Sequence, residues 1–138
     1  MTRKNPHIDR LASGWLIKRF IDTRPRFSFI TEGESTENAL TFDMVGANFT
    51  HQGEDCTFET LLKSFGLDND FVLRQIAEIV HDIDLKDNKF NRSEAVGVNS
   101  VVRGISEVFM DDNERLKQSL SIFDGLYELF KANQSIVE

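Results

Sequence analysis

Three histidines and one cysteine are the residues from which metal, nucleophilic or redox chemistry would most readily be drawn in this chain of 138 residues. His81 stands in HDID, three residues before Asp84, a spacing that puts imidazole and carboxylate on one face of a helix. So placed, the two could share a divalent metal, or the carboxylate could orient the imidazole as a base. Asp82 would point about 100° away from them. The plainer alternative has His81 flanking an apolar stripe and Asp84 opening the exit loop. His51 ends a strand-like segment and leads into the turn HQGEDC, which also carries Glu54, Asp55 and Cys56. Strand ends that run into loops often carry site residues. His7 lies in HIDR at the mouth of a helix, where Asp9 would suit a first-turn or capping position, so a surface histidine is its ordinary reading.

Cys56 admits three roles. A small buried residue comes first, because free cysteine is among the most buried residue types. A metal ligand with His51 comes second. A redox-active thiol comes third, since Glu54, Asp55 and Glu59 would suppress the thiolate. Its spacing matches no standard zinc motif. The sequence contains no Walker motif, no glycine-rich dinucleotide fingerprint and no GxSxG elbow, which withdraws the usual support for nucleotide hydrolysis, Rossmann redox chemistry and serine hydrolysis.

The elements that must position these groups follow from periodicity. From Asp9 to Asp22 the apolar residues Leu11, Ala12, Trp15, Leu16 and Phe20 recur at helical spacing, with Pro25 placed to follow the stop. Segments 26–30 and 40–44 alternate, and 47–51 is short and bounded by Gly46 and Gly53, so three strands of a small antiparallel sheet are expected. The polar TEGESTEN between the first two reads as a loop too long for a tight hairpin. A second helix carries Phe58, Leu61, Leu62 and Phe65 and ends at Gly66. Asp68 or Asn69 should cap a third through Leu73, Ile76, Ala77, Val80 and Ile83. Ser93 should cap a fourth containing Val98, Val101, Val102, Ile105 and Phe109, although Gly97 and Gly104 weaken it. Asp111 and Glu114 have the capping-box spacing for a last helix through Leu116, Leu120, Phe123, Tyr127 and Phe130, with fraying beyond Ala132. The expected class is α+β and predominantly helical: about five helices and a minor antiparallel sheet in the N-terminal half, in one domain over residues 1–138.

Composition supports a folded core, with 40% hydrophobic and 28% charged residues. The formal charge of −7 repels phosphate backbones, so direct nucleic-acid binding is not expected. Arg3, Lys4, Arg10, Lys18, Arg19, Arg24 and Arg26 make the N-terminal third basic. That could draw a small anion, though a solvated helix face is the commoner cause. A single cysteine allows no intramolecular disulfide, and no stretch reads as a signal peptide or membrane span, so the cytoplasm is the expected compartment.

Four runs, in order and over nearly the whole chain, carry a family resemblance: HIDRLASGWLIKRFID, FDMVGANFTHQGEDCTFETLLKSFGL, IVHDIDLKDNKF with SEAVG, and DDNERL with FDGLYELF. With these the chain resembles the chromate-resistance domain found at the C-terminus of ChrB-type regulators and also as a separate protein. The family pattern HxDRxAxxWLIRRFID is matched by His7, Asp9, Arg10, Ala12, Trp15, Arg19 and Asp22, with Lys18 in place of an arginine. Thr50, His51, Gly53, Cys56, Thr57, Phe58, Glu59, Leu61 and Leu62 match THxGxxCTFExLL. The HDIDLKD run belongs to one branch of the family, while fused members keep only an acid matching Asp84. Ser93 replaces the usual proline before Glu94.

The resemblance implies a part in resistance to chromate, an oxyanion taken up as a sulfate mimic, and it supplies no reaction. In fused members DNA binding is expected of a separate N-terminal domain. The function expected on these grounds is a sensory or binding domain for metal or oxyanion stress, holding a divalent ion (Zn, Fe, Mn or Ni) at His51, His81 and Asp84. Asp9 or Cys56 would complete or support the site, with Asp9 reaching across to the histidines and Arg10 balancing a neighbouring carboxylate. A metal-dependent reductase or hydrolase is the alternative, and a metal-free structural interaction domain is a third. Expected partners are a small anion or metal ion, without nucleic acid or membrane, and a homodimer is compatible with the chain.

Overall fold

Apolar residues at helical spacing give the first helix a face that the other helices cover. The computed structural model describes residues 1–137 except 5, 32, 33, 35–38 and 45. Helix α1 (Ile8–Leu16) buries Ile8, Leu11, Ala12, Trp15 and Leu16. It packs against α2 (Thr57–Ser64), α3 (Phe71–Leu85) and α5 (Asp112–Val137). Gly14 lets α5 come close, since a Cβ there would stand 2.8 Å from Leu116 Cδ1. The Trp15 indole stacks on Phe58 with centroids 6.4 Å apart, meets Phe123 at 5.7 Å, and donates its Nε1 hydrogen to Asp124 Oδ1 at 2.9 Å. A π-helical turn over Ile17–Ile21 continues α1, closed by the Asp22 amide donating to the Ile17 carbonyl at 2.7 Å. The first helical run thus ends at Asp22, as its periodicity predicts.

Helix α4 (Ala95–Val108) completes the five and buries only Ala95, Val98 and Val102. The α+β, predominantly helical class holds. Gly66 follows α2 with φ 67°, the left-handed conformation in which glycine ends helices at no steric cost. Asp111 caps α5, accepting the Glu114 amide at 3.0 Å. Two other caps fall elsewhere than expected. Asp70, rather than Asp68 or Asn69, caps α3 by accepting the Val72 and Leu73 amides at 2.9 and 3.1 Å. Glu94, rather than Ser93, precedes α4, and without a side-chain cap. The helical backbone of α5 continues to Val137, past the fraying expected after Ala132.

The sheet differs from the antiparallel three-strand expectation. Strand β1 (Thr2–Arg3) pairs with β2 (Phe29–Ile30) in parallel, in the register Thr2 to Phe29 and Arg3 to Ile30. A lone parallel bridge joins Phe42 to Phe49. Segment 40–51 instead bonds partly within itself, Thr41 N donating to Asn48 Oδ1 at 2.9 Å and Asn48 N to Thr41 Oγ1 at 2.8 Å, and partly to the chain start, Phe42 N donating to the Met1 carbonyl at 3.0 Å. It also turns through left-handed backbone at Asp43 (φ 50°) and Gly46 (φ 77°), which no extended strand accommodates. The expected TEGESTEN loop lies largely outside the described residues. Among those described, no helix is long and apolar enough to cross a membrane.

Candidate metal centre

A carboxylate that folding removes from water must recover its hydrogen bonds, and Asp9 does so across the protein. Its side chain, 2% exposed, accepts the backbone amides of Thr57 and Phe58, each at 2.9 Å, and approaches His51 Nε2 at 3.0 Å. Thr57 and Phe58 open α2, whose first amides have no partners within the helix and carry the positive end of its dipole. Asp9 is therefore the anion at the start of α2, supplied by the first turn of α1.

His51 leaves the loop before α2 with its side chain 44% exposed, and three carboxylates converge on its Nε2. Asp9 Oδ2 stands at 3.0 Å, Asp84 Oδ2 at 3.1 Å and Asp43 Oδ1 at 3.8 Å. The hydrogen bond to Asp9 pushes the imidazole up to about 9 against the opposing effect of burial. Nε2 carries at most one hydrogen, and the bond to Asp9 uses it. Asp84 Oδ2 is shut off from solvent and accepts no hydrogen bond from the described residues. Its 3.1 Å approach to His51 is an ion contact without a hydrogen of its own. Burial, then the charge of Asp9, raises the Asp84 carboxyl above its ordinary value, partly offset by His51.

Asp43 reaches the same place from the left-handed turn. Its Oδ2 accepts Arg10 Nε at 3.1 Å, its Oδ1 accepts the Thr57 hydroxyl at 2.9 Å, and its carbonyl accepts a second Arg10 nitrogen at 2.8 Å. Burial, then Asp9, pushes the Asp43 carboxyl up to about 6, while Arg10 and Thr57 pull the other way.

His81 faces a different group. The ring is wholly buried, with Nδ1 at 2.5 Å from Glu59 Oε1 and Nε2 at 2.9 Å from Asp87 Oδ2. Burial opposes its charge, yet the bonds to Glu59 and Asp87 prevail and raise its pKa. The same Glu59 oxygen accepts the Cys56 amide at 3.0 Å. Cys56 is buried, and burial, followed by the charge of Asp9, drives its thiol far above the ordinary range.

Ligand-type atoms of Asp9, His51 and Asp84 lie within 4.8 Å of one another, and so do those of Cys56, Glu59 and His81. The structure thus divides the residues singled out in the sequence between two neighbouring groups. Moving from 81 to 84 along α3 advances about 4.5 Å and turns about 300°. That step takes the side chain from Glu59 on α2 to the His51 loop. Asp43, Glu59 and Asp87 are partners that sequence reasoning missed. Glu59 had a signal, three residues after Cys56 at the capping-box spacing. Asp43 looked like the interior of a strand. Two cations of the basic third are engaged with acids: Arg10 with Asp43 at 3.1 Å, and Arg19 with Asp124 and Glu128, each at 2.8 Å, over the Tyr127 ring. One imidazole nitrogen ringed by carboxylate oxygens can store a proton or gather around a cation.

Comparison with known proteins gives one family and one relative. The family model for the ChrB C-terminal domain matches residues 1–130. Protein ChrB of Cupriavidus metallidurans is 36% identical over 132 residues, which are 95% of this chain and 40% of the relative. The chain therefore spans well under half the length of that curated protein. No solved structure matches.

Proposed function

The chain belongs to the chromate-resistance family of ChrB C-terminal domains, and on that premise we propose that it works as one sensory domain for metal or oxyanion stress, holding a divalent ion at Asp9, His51 and Asp84. The observation that carries this is the crowding at His51 Nε2. Two carboxylate oxygens approach one nitrogen at 3.0 and 3.1 Å, and the buried oxygen of Asp84 accepts no hydrogen bond from the described residues. A cation in place of the single proton would satisfy all three lone pairs together. The three ligands come from α1, the loop before α2 and the end of α3, so occupancy would bind those elements to one another. His81 then acts beside the site, fixing α3 to α2 through Glu59 instead of contacting the ion. The cytoplasm suits this reading, because Cys56 is kept as a buried thiol.

The exposed side of His51 favours one second reading, a metal-dependent enzyme with water on an open coordination position. Turnover of a small substrate that depends on the added metal would distinguish it from a sensor.

Elemental analysis of the purified chain, followed by melting with and without chelator, tests the metal. We expect close to one equivalent of a divalent ion, and a melting temperature lower by about 5–10 °C once it is removed, because the ion binds only the folded state. His51→Ala should lose both the ion and the chelator effect. Identical melting curves in wild type, with no metal recovered after loading, would sink the proposal.

A further inference from the structure

Asp43 stands at the edge of this centre with its charge already directed inward. We propose that Asp43 is a fourth ligand, which makes the centre a three-carboxylate, one-imidazole site for a hard divalent cation of the Mn2+ or Fe2+ class. This rests on the metal reading above and adds to it a ligand and a kind of ion.

Position comes first. Asp43 Oδ1 lies 3.8 Å from His51 Nε2, the nitrogen that Asp9 and Asp84 also approach. Thr57 aligns two of the acids at once, giving its amide to Asp9 Oδ2 and its hydroxyl to Asp43 Oδ1. Arg10 holds the far oxygen of Asp43, so the near one is turned toward the imidazole. That near oxygen accepts one hydrogen bond, from Thr57, and a carboxylate oxygen has a second lone pair to offer.

Charge comes next. With His51 as a neutral ligand, Asp9, Asp43 and Asp84 contribute three negative charges and Arg10 one positive charge. A divalent ion brings this set to neutrality, whereas a monovalent ion leaves a net negative charge among largely buried groups. Without Asp43 a divalent ion and Arg10 would leave the set positive.

Donor type sets the class. Three oxygens and one imidazole nitrogen suit Mn2+ and Fe2+ better than soft ions, and the sulfur of Cys56 belongs to the other group, with Glu59 and His81.

The test is Mn2+ binding to the chelator-treated full chain, read by the EPR signal of free Mn2+, with Zn2+ titrated in parallel. Wild type should take up one Mn2+. Asp43→Asn should weaken Mn2+ binding by about tenfold or more and Zn2+ binding by less. Circular dichroism checks that the variant is folded. If it is not, Asp43→Glu keeps a charge for Arg10 but moves the ligand atom, and is read the same way. Unchanged Mn2+ affinity in the folded variant overturns the fourth ligand and leaves the three-residue centre standing. Equal losses for the two ions overturn the cation class. A wild type that takes up neither ion overturns the metal reading itself.

Discussion

Asp9 and His51 stand 42 residues apart in sequence and 3.0 Å apart in the fold, joined by the carboxylate that also starts α2. One side chain thus couples a structural task, satisfying two helix amides, to a chemical one, presenting an oxygen to the imidazole.

That double duty makes Asp9→Asn costly. An amide offers one oxygen where two backbone donors now bind, and its own NH2 would face the other. Hydrogen bonds to charged groups contribute about 1.5–3 kcal/mol each. We expect a stability loss of about 2–4 kcal/mol in urea unfolding of metal-free protein, followed by the fluorescence of Trp15. A loss below about 1 kcal/mol would contradict the placement of Asp9.

Stability of the metal-free chain should fall as pH rises. The folded-state pKa of His51 is raised to about 9 from an ordinary 6.5, so its contribution is complete below about pH 6.5 and is lost through about pH 9. His81 is shifted in the same direction. Asp43, raised from 3.8 to about 6, likewise favours the fold in its protonated form, and that contribution is lost as pH rises through about 6. Metal reverses the sign, because ligands must shed protons to bind it. Melting temperatures at pH 6, 7.5 and 9, with chelator and with added Mn2+, should diverge as pH rises. His51→Ala should flatten the chelated series, and parallel slopes for wild type and variant would refute this assignment.

Cys56 should behave as a core residue. Its thiol is buried and shifted upward by that burial and by the nearby charge of Asp9. Labelling by a disulfide reagent at pH 8 should follow the opening of the fold and become immediate in denaturant. Stoichiometric labelling within the mixing time under native conditions would exclude the arrangement.

The helices were legible in the sequence because each buries a stripe that recurs with the helical period. Asp84 and His51 were legible as candidates because an acid and an imidazole at element ends are visible in one dimension. What could not be read was which way α3 turns them. HxxD spacing places His81 and Asp84 on one side of the helix, yet Glu59 takes the first while the His51 loop takes the second. Asp43 escaped notice because its role depends on a left-handed backbone turn inside a segment whose residue types suggest a strand. Strand β2 lies inside the alternating segment 26–30, whereas its partner β1 escaped for a different reason: two residues are too few for alternation to show.

Helix α2 has eight residues, fewer than the roughly 12–15 that a helix needs to persist alone in water. Its opening amides are satisfied by a carboxylate 48 and 49 residues upstream. Bringing that carboxylate into place costs on the order of 3 kcal/mol of loop-closure entropy before the contact repays it. Helices α3 and α5 are capped by Asp70 and Asp111 directly before them, whereas α2 adds the distant Asp9 to its own Cys56–Glu59 contact. Helix α2 thus depends on the docking of α1, which delivers Asp9 to its opening amides. The residues of the candidate centre therefore meet only where α1, α3 and the His51 loop are packed together, and only a chain that has reached its native topology can present them.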